Sequence, residues 1–170
     1  SSAASDVYKR QVVGHFHIVM GMTAILGMFA GIYHWFPKMY GKSMNKRMGM
    51  VHFWVTIVTG YGVFLPMHFL GEGGLPRRYY ENTNFPMFDH FLDLNILISI
   101  FATIGVLSQL IFFFNFFYSI FRGPKASLNP WNANTLEWTT PLEHVHGNWI
   151  GEIPTAVSYT HLTLPTTTIV

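Results

Sequence analysis

Cysteine is absent from all 170 residues. Its absence excludes disulfide frameworks and thiolate metal sites, so any metal must rest on the nine histidines, the carboxylates or a cofactor. Charge is scarce as well. Only 11% of residues are Asp, Glu, Lys or Arg, against about 25% in a soluble globular domain. A surface so poor in charge cannot be wetted all round, which favours a membrane protein. The formal net charge of +2 comes from thinly spread basic residues, so no nucleic-acid partner is expected. No secretory signal pattern opens the chain either.

In place of charge the sequence has three long apolar runs. Val12 to about Tyr33, Met48 to about Leu70 and about Leu94 to Phe121 contain no Asp, Glu, Lys or Arg, and each reaches the ~20 residues that cross a bilayer as a helix. The expected fold is therefore an all-α membrane protein with three transmembrane helices. His34-Trp35-Phe36-Pro37 reads as an interfacial aromatic belt with a proline stop. A basic loop from Lys38 to Arg47 follows, and a turn-rich loop runs from Gly71 to about Phe91. Residues 122–156 form a polar segment without a long period, carrying Trp131, Trp138 and Trp149, and are expected to lie against a larger assembly. The ends differ in composition from the rest. Residues 1–11 and the Thr-rich 157–170 are read as non-native flanks, His161 as functionless, and the chain as a fragment. The organisation expected is thus 1–11 flank, 12–121 three-span part, 122–156 polar cytoplasmic segment and 157–170 tail.

Charge placement orients these spans. Lys38, Lys42, Lys46 and Arg47 lie between spans one and two, and Arg122 and Lys125 follow span three. All six should share a side. The other side has Arg77 and Arg78, accompanied by Glu72, Glu81 and Asp89. The positive-inside rule puts the first loop and the C-terminus in the cytoplasm and the start of span one outside. His15, His17, Arg77 and Arg78 then belong to one outer face.

The pair in Gly14-His15-Phe16-His17 can do two different things. On a strand both rings would share one face, as in many zinc sites. On a helix, positions two apart point about 200° apart, so His15 and His17 cannot grip one metal but can each ligate a different one. An imidazole inside a membrane is costly unless it is hydrogen-bonded or bound to metal. The pair is either two hydrogen-bonded helix-start histidines or the axial ligands of two haems. Haem propionates need cationic partners, and Arg77 and Arg78 offer planar donor forks; otherwise these are interfacial charges contacting headgroups.

The stretches VVGHFHIVMGM, HWFPKMYG, PMHFLGEGGLPRRYY and LNPWNANTLEWTTPLEHVHGNW resemble the catalytic subunit of haem–copper terminal oxidases, over roughly Val12 to Pro154. The resemblance implies that the three spans are the last three of a twelve-helix subunit. It implies His15 as the ligand of the high-spin, oxygen-binding haem, hence a catalytic residue, and His17 as the ligand of the low-spin haem. Phe16 would lie between the haems, and Arg77 and Arg78 would hold propionates. Two haems of the a type are expected, with copper in the full subunit on ligands outside this fragment. The Pro-Met-His-Phe-Leu-Gly form before Pro-Arg-Arg looks more like members that use cytochrome c than like those that use quinol. The implied partners are other oxidase subunits, cytochrome c and the lipid bilayer, in a bacterial or mitochondrial inner membrane. Proton pumping and electron transport belong to the same expectation.

One departure from the family is visible. The His-Asp pair of a magnesium site precedes the equivalent of Val12, whereas Asp6-Val7-Tyr8-Lys9 stands here. Other histidines read more plainly. His52 is expected to pack or lie at an interface, His68 to be a satisfied polar group, His34 and His90 to belong to belt and loop, and His144 and His146 to be surface residues. The Phe-rich stripe of span three reads as lipid or helix packing. Two other classes of function compete: a three-span membrane protein that binds a partner without cofactor, and a soluble zinc enzyme using the His-x-His pair on a strand.

Overall fold

The three apolar runs become three long helical stretches in the computed structural model, which describes residues 9–78 and 86–140. Helix α1 is Arg10–Tyr40. Helix α2 is Lys46–Phe64, and α3 is Pro66–Glu72, which continues its line after Leu65. A 3-10 turn at Pro86–Phe91 leads into α4, Leu92–Arg122, and a second 3-10 turn occupies Leu136–Thr139. The three spans Arg10–Tyr40, Lys46–Glu72 and Pro86–Arg122 are each long and apolar enough to cross a membrane. No strand occurs among the described residues, so the protein is an all-α membrane protein with three transmembrane helices. A strand-based zinc site is thereby overturned, since His15 and His17 sit on helical backbone. Glu81, Trp149, His144, His146, His161, the 157–170 tail and the Asp6-Val7-Tyr8 part of the missing His-Asp position lie outside the described residues.

Two expected boundaries move. The first helix begins at Arg10 rather than Val12 and does not stop at Pro37. Pro37 sits in the last turn, where its ring removes only one backbone bond. The helix ends at Gly41, whose φ of 63° is a left-handed cap and whose N–H bonds the Pro37 carbonyl at 2.9 Å. At the start of α2, the Asn45 side chain accepts from the N–H groups of Arg47 (3.0 Å) and Met48 (3.3 Å), satisfying two orphan donors. Pro66 opens α3 at a position where its missing N–H costs nothing.

Packing runs opposite to that of a soluble bundle. The contact between α2 and α4 is lined by His52, Thr56 and Thr59 on one side and Ser108, Asn115 and Ser119 on the other, all buried. Phe113, Phe114 and Phe117 of α4 point outward and are more than half exposed. Lipid tails are as apolar as Phe, so a membrane helix gains nothing by hiding Phe from them; it gains by hiding small and polar groups against a neighbour. Residues 108, 112, 115 and 119 lie on one helix face at that spacing. His52 contributes an interhelical bond, Nε2 to the Gln109 side-chain oxygen at 3.1 Å. Asn115 bonds both the N–H and the carbonyl of Asn45, each at 3.1 Å, and so fixes the start of α2 against α4. In an apolar 18-residue stretch of each span only 11%, 17% and 17% is buried inside the chain, which leaves most of their surface to lipid or to further protein.

Both ends of the bundle are closed by polar contacts. At one end, the Arg10 N–H bonds the Leu75 carbonyl at 3.1 Å and its guanidinium donates to the Asn95 side chain at 2.5 Å. Leu70, Leu75 and Ile98 form a small core there. At the other end, the segment after α4 folds back over the turn between α1 and α2. Ser43 N–H bonds the Pro124 carbonyl and Ala126 N–H the Gly41 carbonyl, both at 2.9 Å. Lys38, Lys42, Lys46, Arg47, Arg122 and Lys125 lie on the elements that meet at this end, as their placement between and after the spans requires.

Candidate functional site

The start of α1 crosses the junction of α2 and α3 at close range, and Gly14 makes that possible. A Cβ at Gly14 would stand 2.7 Å from the Phe64 carbonyl oxygen and 3.0 Å from His68 Nδ1, a spacing no side chain tolerates. Gly71 does the same from the other partner, since its Cβ would run into the Gln11 backbone. With Gly14 against the second span, successive steps of about 100° send His15 and His17 out on either flank of the contact and Phe16 away from it. His15 meets His68 edge-on, ring centroids 6.4 Å apart, and His17 stacks on Phe64 at 4.9 Å and 20°. Both histidines are exposed, and Phe16 is 57% exposed with its edge against His17 at 5.7 Å.

The hydrogen bonds decide which ring atoms are free. His17 Nδ1 lies 2.8 Å from the Val13 carbonyl. A carbonyl can only accept, so Nδ1 carries the proton and Nε2 keeps its lone pair. That is the arrangement of a metal-binding imidazole: one nitrogen held by a backbone acceptor, the other open to a ligand. His68 is held the same way by the Phe64 carbonyl at 3.1 Å, a satisfied polar group as expected. His15 has neither nitrogen in a hydrogen bond among the described residues.

A feature the sequence did not signal begins at His17. Residues His17–Met22 form one turn of π-helix between α-helical segments. Such a turn adds a residue to the helix, is costly in isolation and often marks a functional position. Gly21 follows within this turn, and a Cβ there would rest 3.7 Å from the His17 ring.

Arg77 and Arg78 come directly after the residues that pair with the start of α1. Lys9 and Pro76 form an isolated bridge, and Arg10 bonds Leu75, so the arginine turn and the two histidines share one end of the molecule. Arg77 Nε is buried and has no hydrogen-bond partner among the described residues. A buried guanidinium donor left without an acceptor is unfavourable, and an anionic group arriving there would satisfy it. Arg78 is exposed and holds a φ of 67°, a left-handed backbone uncommon for a side-chain-bearing residue.

Haem fits this donor set on two independent observations. His17 presents a free Nε2 on a ring already held at Nδ1, and Arg77 presents an unsatisfied donor suited to a propionate. Among the described residues, no three His, Cys, Asp or Glu side chains cluster as a metal site.

Comparison with known proteins shows the family to which the chain is similar. The family model described as cytochrome c and quinol oxidase polypeptide I matches residues 8–104. The alternative cytochrome c oxidase subunit 1 of Bradyrhizobium diazoefficiens is 44% identical over 147 residues, covering 84% of this chain and 24% of that protein. Cytochrome c oxidase subunit 1 of Thermostichus vulcanus is 41% identical over 139 residues, covering 81% and 24%. That of Cereibacter sphaeroides is 40% identical over 153 residues, covering 85% and 26%. The chain spans about a quarter of the length of these curated relatives.

Proposed function

This chain belongs to the cytochrome c and quinol oxidase polypeptide I family, and we propose that it is a piece of the catalytic subunit of a proton-pumping cytochrome c oxidase. In that reading His15 and His17 would each hold one of two a-type haems, and the chain's three spans are the last of a twelve-helix subunit. The observation that carries the reading is His17 with Nδ1 fixed on the Val13 carbonyl and Nε2 free, at the same end as the unsatisfied Arg77 Nε. When bound, the haems supply one-electron transfer and the reduction of dioxygen to water, with copper held by residues outside this chain.

Each of the chain's own residues has a stated part. The Val13 carbonyl sets the tautomer and angle of the His17 ring. His15, on the other flank of the helix contact, would hold the high-spin haem. Phe16, which points away from the second span, places an apolar ring between the two ligands. Arg77 and Arg78 neutralise propionates, and Arg77 Nε gains the acceptor it lacks. On this reading the isolated chain does not reduce oxygen, because copper would be held by residues outside it.

Cytochrome c is the proposed electron donor, because the three relatives above carry it in their names. The family description also includes quinol oxidases, and turnover with reduced cytochrome c against turnover with a quinol separates the two. The assignment of ligands is tested in the full-length subunit by haem content as pyridine haemochrome. His15→Ala and His17→Ala should each lose about one of two haems, with oxygen consumption abolished in both. Two haems retained in either folded variant would overturn the assignment of that residue. A full-length subunit that folds with no haem would instead favour a partner-binding membrane protein.

A further inference from the structure

The close contact of α1 with the second span is confined to its first half. Below the π-helical turn the two helices diverge, and a cavity of about 810 Å³ opens between them and the segment after α4. Phe29 and Tyr33 of α1 reach across its back to His52 and Phe112 rather than closing it.

The cavity has a direction. Its lining on α1 runs from Leu26 to Pro37, and on α2 from Lys46 to Thr56. At 1.5 Å per residue each wall is roughly 15 Å long, about one leaflet of a hydrocarbon core some 30 Å thick. Its throat is apolar, with Leu26, Phe29 and Phe53; the one basic ring there, His52, is already bonded to Gln109. Its mouth is polar and cationic, with Ser43, Lys46, Lys125 and Ser127, and the half-exposed Trp131 beside them. The sole carboxylate described at this end, Glu137, does not line the cavity and accepts from the Trp35 indole. The mouth therefore carries two ammonium groups beside hydroxyl donors, with no described carboxylate to pair them.

We propose that this cavity binds an anionic phospholipid of the leaflet at the six-cation end, its phosphate between Lys46 and Lys125 and an acyl chain along Phe29 and Phe53. A further apolar helix could fill the throat but would leave both ammonium groups unpaired. An anionic amphiphile satisfies both parts, its phosphate pairing with the two ammonium groups at the membrane surface. The site is separate from the histidine end and does not depend on haem being bound there.

The test is native mass spectrometry of the chain released from nanodiscs of equimolar phosphatidylcholine and phosphatidylglycerol. The expected result is preferential retention of phosphatidylglycerol. Lys46→Gln with Lys125→Gln should lower that retention about thirtyfold, whereas Arg47→Gln with Arg122→Gln, the same charge removed at the same end but outside the cavity, should not. Ala30→Leu, which narrows the throat without touching charge, should also release the lipid and guards against misfolding of the double variant. Equal retention of both lipids, equal loss in both charge pairs, or displacement by inorganic phosphate alone would overturn the proposal. So would absence of retained phosphatidylglycerol from the full-length subunit, because the rest of the protein would then fill the cavity.

Discussion

Gly14 sets how closely the first span approaches the second, and with it the directions in which His15 and His17 leave the helix. Gly14→Leu should force the helices apart and cost about 1–3 kcal/mol, read as a lowered midpoint of thermal unfolding in detergent. An unchanged midpoint would mean that the contact with Phe64 and His68 is not close. Asn115 offers a second residue-level test. Its two bonds to Asn45 satisfy backbone groups at the start of α2, so Asn115→Leu should cost about 1–2 kcal/mol. A variant as stable as the parent would contradict that role. The chemistry at this scale was partly legible in the sequence. An imidazole pair at the start of an uncharged run marks itself through the cost of buried polar groups. The tautomer of His17 does not, because it depends on a backbone carbonyl one turn away. Nor did Gly14 stand out, since a glycine's worth lies in its neighbour.

Among the elements, span number followed directly from charge-free length, whereas span ends and faces did not. Pro37 looked like a stop, yet α1 carries it in its last turn and ends three residues later at Tyr40, where Gly41 can turn left-handed. The π-helical turn at His17–Met22 has no composition to betray it. The polar face of α4 was present in the sequence as Ser108, Asn115 and Ser119, but the density of Phe around it concealed which residues face protein. The segment after α4 was read as polar and aperiodic, and it gains its order from α1. Trp131 donates to the His34 carbonyl at 3.0 Å, Lys38 to the Thr140 carbonyl at 2.7 Å, and Lys38 sits 5.6 Å above the ring of buried Trp138. Trp138→Ala should therefore raise amide hydrogen exchange both in residues 123–140 and in the last turn of α1. Exchange raised only around position 138 would mean that the segment is not coupled to the helix.

For the molecule as a whole, the sequence divides its charges between two ends, and the backbone contacts at each end follow the same division. The six-cation end is expected in the cytoplasm. Because the chain has no cysteine, single thiols report sidedness without background. In right-side-out vesicles, Met87→Cys should react with a membrane-impermeant maleimide and Ser127→Cys should react only after permeabilisation. The reverse pattern would invert the topology. What composition could not convey is how little of each span the chain buries for itself, which leaves the outer surfaces to lipid or to further protein. The central claim is that His17 holds the low-spin haem at the end it shares with Arg77. The most direct measurement is the reduced-minus-oxidised optical spectrum of the full-length subunit carrying His17→Gly, recorded without and with imidazole. Loss of the low-spin band and its return with imidazole is the result predicted. A low-spin band undiminished in the folded variant without imidazole would contradict the claim.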